Sequence, residues 1–304
     1  MAEIILHHYN SSPFSEKVRL VLGIKGLTWR SVIQPTIMPK PDLTPLTGGY
    51  RRIPVMQIGA DVFCDSQVIM AELERRAPSP RVIHGADWAV NLWADRLLFQ
   101  PTVAIIFGGI GHRVPAEFIK DREALSGRPF DIAGMKAAAV PMKGQFRAMA
   151  AWVEQQLAAG RAWLAGDAPG LADIAAYMNF WFLESAVPKE LPALLAGLPH
   201  IEPWKQRVAA LGHGSRAEMT TAEAIESAAA AEPSIDIDHD SSDMSGLDPG
   251  VAVRVMADDY GRTPIDGQLV AVNAQRIVIA REDARVGRVH VHFPRAGFFV
   301  VSAT

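Results

Sequence analysis

A hydroxyl at the amino terminus of a helix can hold an anion, because the O–H donates while the helix adds partial positive charge. The run Ser11-Ser12-Pro13-Phe14-Ser15-Glu16-Lys17-Val18-Arg19 has this form, a polar loop leading into an amphipathic helix. Ser11, Ser12 and Ser15 are rival sources of the hydroxyl, and an ordinary N-cap or turn is the plainer account of Ser-Ser-Pro. Asp65-Ser66 opens a second helix in the same polar way. Other tempting groups offer less. Cys64 is the only cysteine, and beside Asp65 it reads as a buried strand residue rather than a nucleophile. His290 and His292 share a strand face without a third ligand, so no metal is expected. Asp236, Asp238, His239, Asp240 and Asp243 lack the glycine and terminal glutamate of a calcium loop. Gly108-Gly109-Ile110-Gly111 follows no strand, so it is not a dinucleotide fingerprint.

The elements that must position these groups fall into three zones. Residues 1–80 read as strand Ile4–Leu6, a helix through Val18–Ile24 closed by Gly26, and a strand at Trp29–Ile33. A Pro-rich loop over 35–45 follows. Strands Val55–Ile58 and Val62–Cys64 then form a hairpin, and a helix runs to about Arg76. That order is thioredoxin-like. Residues 85–231 show helical spacing in Trp88–Phe99, Met135–Leu157 and Leu171–Leu183, with Ser215–Ala231 as a last helix, so an all-helical bundle is expected. Residues 233–248 have the acidic, polar composition of a linker. Five alternating runs punctuated by Gly261, Gly267, Gly287 and Gly297 fill residues 249–304, for which a small all-β barrel of SH3-like type is expected.

Composition bounds the rest. The 304 residues allow two or three domains, and a formal net charge of -3 argues against nucleic acid or an anionic membrane as general partner. No apolar run reaches the ~20 residues of a membrane span, and MAEIILHHYNSSPF carries no secretory pattern. One cysteine excludes an intrachain disulfide framework and fits a reducing cytoplasm.

Four features in sequence order resemble the cytosolic glutathione transferases over residues 1–231. They are the Ser12 loop, Arg52-Ile53-Pro54-Val55, Asp65-Ser66, and Leu171-Ala172-Asp173-Ile174-Ala175 in the helical zone. In omega- and beta-like relatives a cysteine begins the first loop; in zeta-, theta- and tau-like relatives a serine does, and Ser12 takes its place. The resemblance implies a cis Pro54 that presents the backbone of Ile53–Val55 to the peptide of glutathione. It places the γ-glutamyl end on Asp65 and Ser66, and the glycyl carboxylate on Lys40, with Arg52 as competitor. It also implies an acceptor site between the zones, with Phe14, Trp93, Phe107 and Arg113 as candidates and Leu97, His112 and Phe118 beside them. A homodimer follows from the same likeness. One departure is Gly170, where many relatives carry Ser or Thr three residues before the aspartate. That leaves the subclass open.

The chemistry has a workable size. A thiol of pKa ~8.5 is only a few per cent ionised at pH 7, and lowering that pKa by ~2 units requires about 2.7 kcal/mol. A helix amino terminus supplies ~0.3–1 kcal/mol and a hydrogen bond to a charged group ~1.5–3. Ser12 can therefore serve as donor without being deprotonated. The expected function is a glutathione transferase acting on a small electrophile. The alternative is a non-catalytic scaffold, with Asp258, Asp259, Tyr260 and Arg262 offering a surface to a protein partner, or an extension that covers the mouth of the site.

Overall fold

A computed structural model describes residues 3–164, 166–235 and 237–303; Asp236 of the acidic run lies outside them. The first zone contains β1 (Ile5–His8), α1 (Pro13–Ile24), β2 (Thr28–Ile33), the single turn α2 (Thr44–Thr47), β3 (Val55–Ile58), β4 (Asp61–Cys64) and α3 (Ser66–Arg76). β1 lies parallel to β2 and antiparallel to β3, and β3 lies antiparallel to β4, the thioredoxin-like order. Ser12 caps α1 and Pro13 follows at its first position, where a missing N–H costs nothing. Lys25 ends the helix and Gly26 turns the chain at φ 58°.

Helices follow as α4 (Asp87–Trp93), α5 (Phe99–Ile110), α6 (Ala116–Ser126), α7 (Ile132–Ala158), α8 (Leu171–Ala186), the short α9 (Leu191–Leu194) and α10 (Ile201–Ala209). A π-helical turn, Ala94–Leu98, joins α4 to α5. One apolar cluster runs from Leu6, Leu20, Trp29 and Met56 into Phe146, Phe180 and Trp204, so sheet and bundle share a core. Asp173, at the start of α8, accepts from Leu164 N at 2.7 Å, Gly170 N at 3.1 Å and Trp204 Nε1 at 2.8 Å. The missing cap side chain at Gly170 is thus offset by the aspartate reaching back. Gly108 and Gly111 lie in and just after α5, not in a phosphate loop. A Cβ on Gly108 would sit 2.9 Å from Met135 O, so the glycine lets α5 approach α7. Among the described residues no helix is long and apolar enough to cross a membrane.

Two expectations need correction. Ser215–Ala231 is not one helix: β5 (Ser215–Glu218) pairs parallel with β2 before Thr220 caps α11 (Thr221–Ala229). Helical propensity in this Ala-rich run gives way to a free strand edge. The terminal strands β6 (Ala252–Ala257), β7 (Ile265–Val272), β8 (Arg276–Asp283), β9 (Gly287–Pro294) and β10 (Phe298–Ser302) do not form a separate SH3-like barrel. They continue the main sheet, in the order β10-β6-β7-β8-β9-β4-β3-β1-β2-β5. β9 runs parallel to β4, pairing Val62 with Val291 and Phe63 with His292. The apolar residues of the extension are buried against Leu43, Leu46, Tyr50, Val55 and Val62 rather than among themselves alone. Docking on the existing sheet answers the shortage of core that so small a unit faces.

The joint is held by a carboxylate. Asp61, 4% exposed, accepts from Ser234 N at 3.0 Å and Ser234 Oγ at 2.6 Å, while its other oxygen meets His292 Nε2 at 2.8 Å. Burial opposes the carboxylate's charge, but the hydrogen bonds from His292 and Ser234 outweigh that and lower its pKa. Burial likewise lowers the pKa of His292, which is therefore neutral near pH 7 and donates to Asp61. Residues 237–250 carry no helix or strand, yet they are tied to the sheet by Asp240 N to Val272 O, 2.9 Å, and Gly250 N to Leu269 O, 2.7 Å.

Candidate functional site

The carboxy-terminal end of β1 delivers the chain into Tyr9–Ser12, and α1 starts from there. Ser12 N donates to Tyr9 O at 3.1 Å, and Ser12 Oγ accepts from Ser15 N at 3.1 Å. This cap uses an acceptor lone pair of the hydroxyl and leaves its proton to donate elsewhere. Ser12 lines a cavity of about 260 Å³ between the sheet and the helices. Ser11 is exposed, and the buried Ser15 Oγ has no hydrogen-bond partner among the described residues; neither lines the cavity.

Six of the chain's 12 phenylalanines, Phe14, Phe99, Phe107, Phe118, Phe130 and Phe182, form the cavity's apolar wall. Phe14 meets Phe99 edge-on at 5.0 Å, and Phe107 meets Phe130 likewise at 5.0 Å. Phe14, Phe107 and Phe118 line this cavity; Trp93 and Arg113 do not. Trp93 packs beside Trp152 at 6.1 Å; His112 and Arg113 are exposed on the 3-10 turn after α5, and Leu97 is exposed on the π-helical turn before it. A π-helical turn, Ala94–Leu98, separates Trp93 from α5 and adds a residue to the register that uniform helical spacing assumes.

The polar wall holds Lys40, Arg51, Arg52, Arg122 and Tyr9. Lys40 is 4% exposed, and burial pulls its pKa down to about 8. Arg51 pairs with Asp121, and Arg122 lies over the Phe118 ring at 4.4 Å. Tyr9 stands beside them, and burial raises its pKa, opposed by Arg122 and Ser12. Tyr9 and Arg122 were not anticipated. Tyr9 stands three residues before Ser12 and could have been suspected from its place at the strand end, whereas Arg122 comes from a distant helix without a local signal.

A second, narrower hollow of about 90 Å³ adjoins the first, the two sharing Phe14, Arg52, Ile53, Phe99 and Tyr260. Pro54, Asp65 and Ser66 line it with Asp95 and Arg96. The Ile53–Pro54 peptide is cis. Ile53 lines both hollows, but Val55 lines neither: as the first residue of β3 it is buried between His7 of β1 and Cys64 of β4. Asp65 caps α3 by accepting from Gln67 N at 2.9 Å, with φ 93°. Burial raises its pKa, opposed by the nearby Lys17 and Arg52. Lys17 leaves α1 to meet both oxygens of Asp95 at 2.7 Å and Asn91 Oδ1 at 2.9 Å, tying the two halves of the cleft together.

The extension also reaches this cleft. Arg52 pairs with Asp259 at 2.6 Å, and Arg96 pairs with Asp258 at 2.7 Å. The β6–β7 loop, expected as a surface for an outside partner, is engaged within the chain.

A thioredoxin-like layer joined to a helical bundle, with a capping serine at their seam, defines a two-part architecture built around a cleft. Residues 6–81 match the glutathione S-transferase N-terminal domain and residues 120–207 the C-terminal domain of that family. The chain is 37% identical to a GST-like protein from Pseudomonas syringae, over 99% of this chain and 100% of that one, with a TM-score of 0.81. A tau class glutathione S-transferase from mango, Mangifera indica, is 18% identical, covering 68% of this chain and 89% of its own at TM-score 0.53. A glutathione S-transferase domain-containing protein from Marinobacter aquaeolei is 22% identical, covering 68% and 97% at TM-score 0.52. These last two are alike in fold. A comparison with curated proteins finds no match. The chain belongs to the glutathione S-transferase family.

Proposed function

We propose that this protein is a serine-type glutathione transferase that activates the bound thiol for attack on a small electrophile. The observation that carries the reading is the place of Ser12. It sits at a helix amino terminus with its lone pair engaged by Ser15 N, in a phenylalanine-lined cavity continuous with the cleft of Ile53, Pro54, Asp65 and Ser66. Glutathione would lie with its γ-glutamyl end against Asp65 and Ser66, where a carboxylate can accept from the ammonium and the start of α3 favours the glutamyl carboxylate. Its peptide would pass Ile53, and its glycyl carboxylate would meet Lys40, with Arg52 the competing partner. The sulfur would then enter the larger cavity beside Ser12.

There the thiol gives its proton to solvent and the thiolate accepts from the Ser12 O–H. The thiolate lone pair forms the new S–C bond, and the electrophile's leaving group departs with the electron pair of the bond that breaks. The basic wall of Lys40 and Arg122 favours the anionic sulfur, and the phenylalanines exclude water from it. A homodimer and a cytoplasmic setting belong to the same reading, the first open to size-exclusion chromatography with light scattering. Calorimetric titration with glutathione tests the core of it. Saturable binding at millimolar ligand or below supports the proposal, and no heat of binding there sinks it.

A further inference from the structure

The extension's β6–β7 loop is fixed to both sides of the cleft. Asp259 accepts from Arg52 Nη2 at 2.6 Å, and the Tyr260 ring lies 4.1 Å from the same guanidinium. Asp258 accepts from Arg96 Nη2 at 2.7 Å, on the π-helical turn. Gly261, at φ 62°, passes so close to α6 that a Cβ there would stand 2.8 Å from Leu125 Cδ1. Leu125 itself lines the larger cavity. Two ion pairs, a cation–π contact and a close glycine approach therefore hold one loop in one place.

That place is the seam between the two hollows, and Tyr260 lines both. A sulfur beside Ser12 stands in the larger cavity, so any group attached to it shares that cavity with the Tyr260 ring. We propose that Tyr260 is a specificity-determining residue for the transfer reaction, a wall supplied by the carboxy-terminal extension that limits the bulk of the group next to sulfur. The inference rests on the glutathione reading above. Its physical content is steric: the ring stacks on the Arg52 guanidinium, which Asp259 holds in turn. Removing it enlarges the cavity at the point where a bulky substituent begins, while a small substituent gains nothing.

S-substituted glutathiones read this out by binding alone, without turnover. Calorimetry with S-methylglutathione and S-(9-anthracenylmethyl)glutathione on the full chain gives a ratio of dissociation constants that cancels any change in the active fraction. Tyr260→Ala is expected to shift that ratio about tenfold toward the bulky conjugate, the scale of a modest pocket change. Tyr260→Phe, which keeps the ring, should leave it within about twofold of the original value. A ratio unmoved or reversed in Tyr260→Ala, with S-methylglutathione still bound, overturns the proposal for Tyr260 and leaves the glutathione site standing. If the unaltered protein binds neither conjugate, the glutathione reading itself fails and this inference with it.

Discussion

Asp61→Ala should loosen the whole carboxy-terminal extension. The carboxylate is 4% exposed and accepts two hydrogen bonds from Ser234 and one from His292, the latter itself 2% exposed. Alanine leaves the buried His292 Nε2 donor without its acceptor, while the exposed Ser234 can turn to water, and one orphaned buried donor costs about 1–3 kcal/mol. Against a total stability of roughly 5–15 kcal/mol, this is a large fraction. The β9–β4 joint contains only three register pairs, so the loss should appear first as local opening. Native-state hydrogen exchange is the suitable assay. Amides of β9 and β4 should exchange roughly 5–150 times faster in the variant, since each 1.36 kcal/mol is a factor of ten. Amides of α8, remote from the joint, should slow or quicken far less. Asp61→Asn is the control: its carbonyl can still accept from Ser234, and His292 can change tautomer to accept from the amide, so part of the protection should return. Unchanged exchange in β9 of the alanine variant would refute the view that Asp61 holds the extension to the sheet.

Two further outcomes follow from other parts of the chain. His7, held between Gln57 and Gln34 at 1% exposure, has its pKa pulled down by burial to about 4, against 6.5 for an ordinary histidine. The unfolded chain binds that proton first, so this contribution is complete above pH 6.5 and is lost as pH falls through about 4. The loss for His7 alone is about 3 kcal/mol, and His8, lowered to about 3, acts in the same sense; urea denaturation giving equal stability at pH 7.5 and pH 4.5 would contradict it. Gly23→Ala should destabilise, although alanine favours helix by ~1 kcal/mol, because its Cβ would stand 2.0 Å from the backbone oxygen of Gly212. The expected net cost is about 1–3 kcal/mol, and a melting temperature equal to or above that of the unaltered chain would count against the tight α1 packing.

Local chemistry made much of this architecture readable in the sequence. The Ser-Ser-Pro cap, the hairpin turn at Gly59-Ala60-Asp61 and the Asp65 cap are decided within a few residues, and α1, β3, β4 and α3 form where those signals stand. Strand alternation likewise marked five terminal strands. What no local signal records is which edge those strands seek. The choice of β4 as neighbour for β9 depends on a carboxylate and a histidine 231 residues apart in sequence, and on apolar surface that only appears once the first zone has folded. The same limit explains the site. Phe14 and Phe107 were legible as apolar residues near the seam, but Trp93, set before a π-helical turn, packs beside Trp152 instead. Tyr260 and Arg122 arrive from elements whose position is set by tertiary packing. Val55 opens β3, and the residues that line the cleft are the two before it.

In the proposed function, Ser12 stabilises a glutathione thiolate. Ultraviolet difference titration of the bound thiol, in the unaltered protein and in Ser12→Ala, measures it directly. The bound thiol is expected to have a pKa roughly 2 units below the free value of about 8.5. Removing the hydroxyl should raise it by about 1–2 units, the equivalent of one hydrogen bond to a charged group. A bound thiol whose pKa is the same with and without the Ser12 hydroxyl would contradict that role.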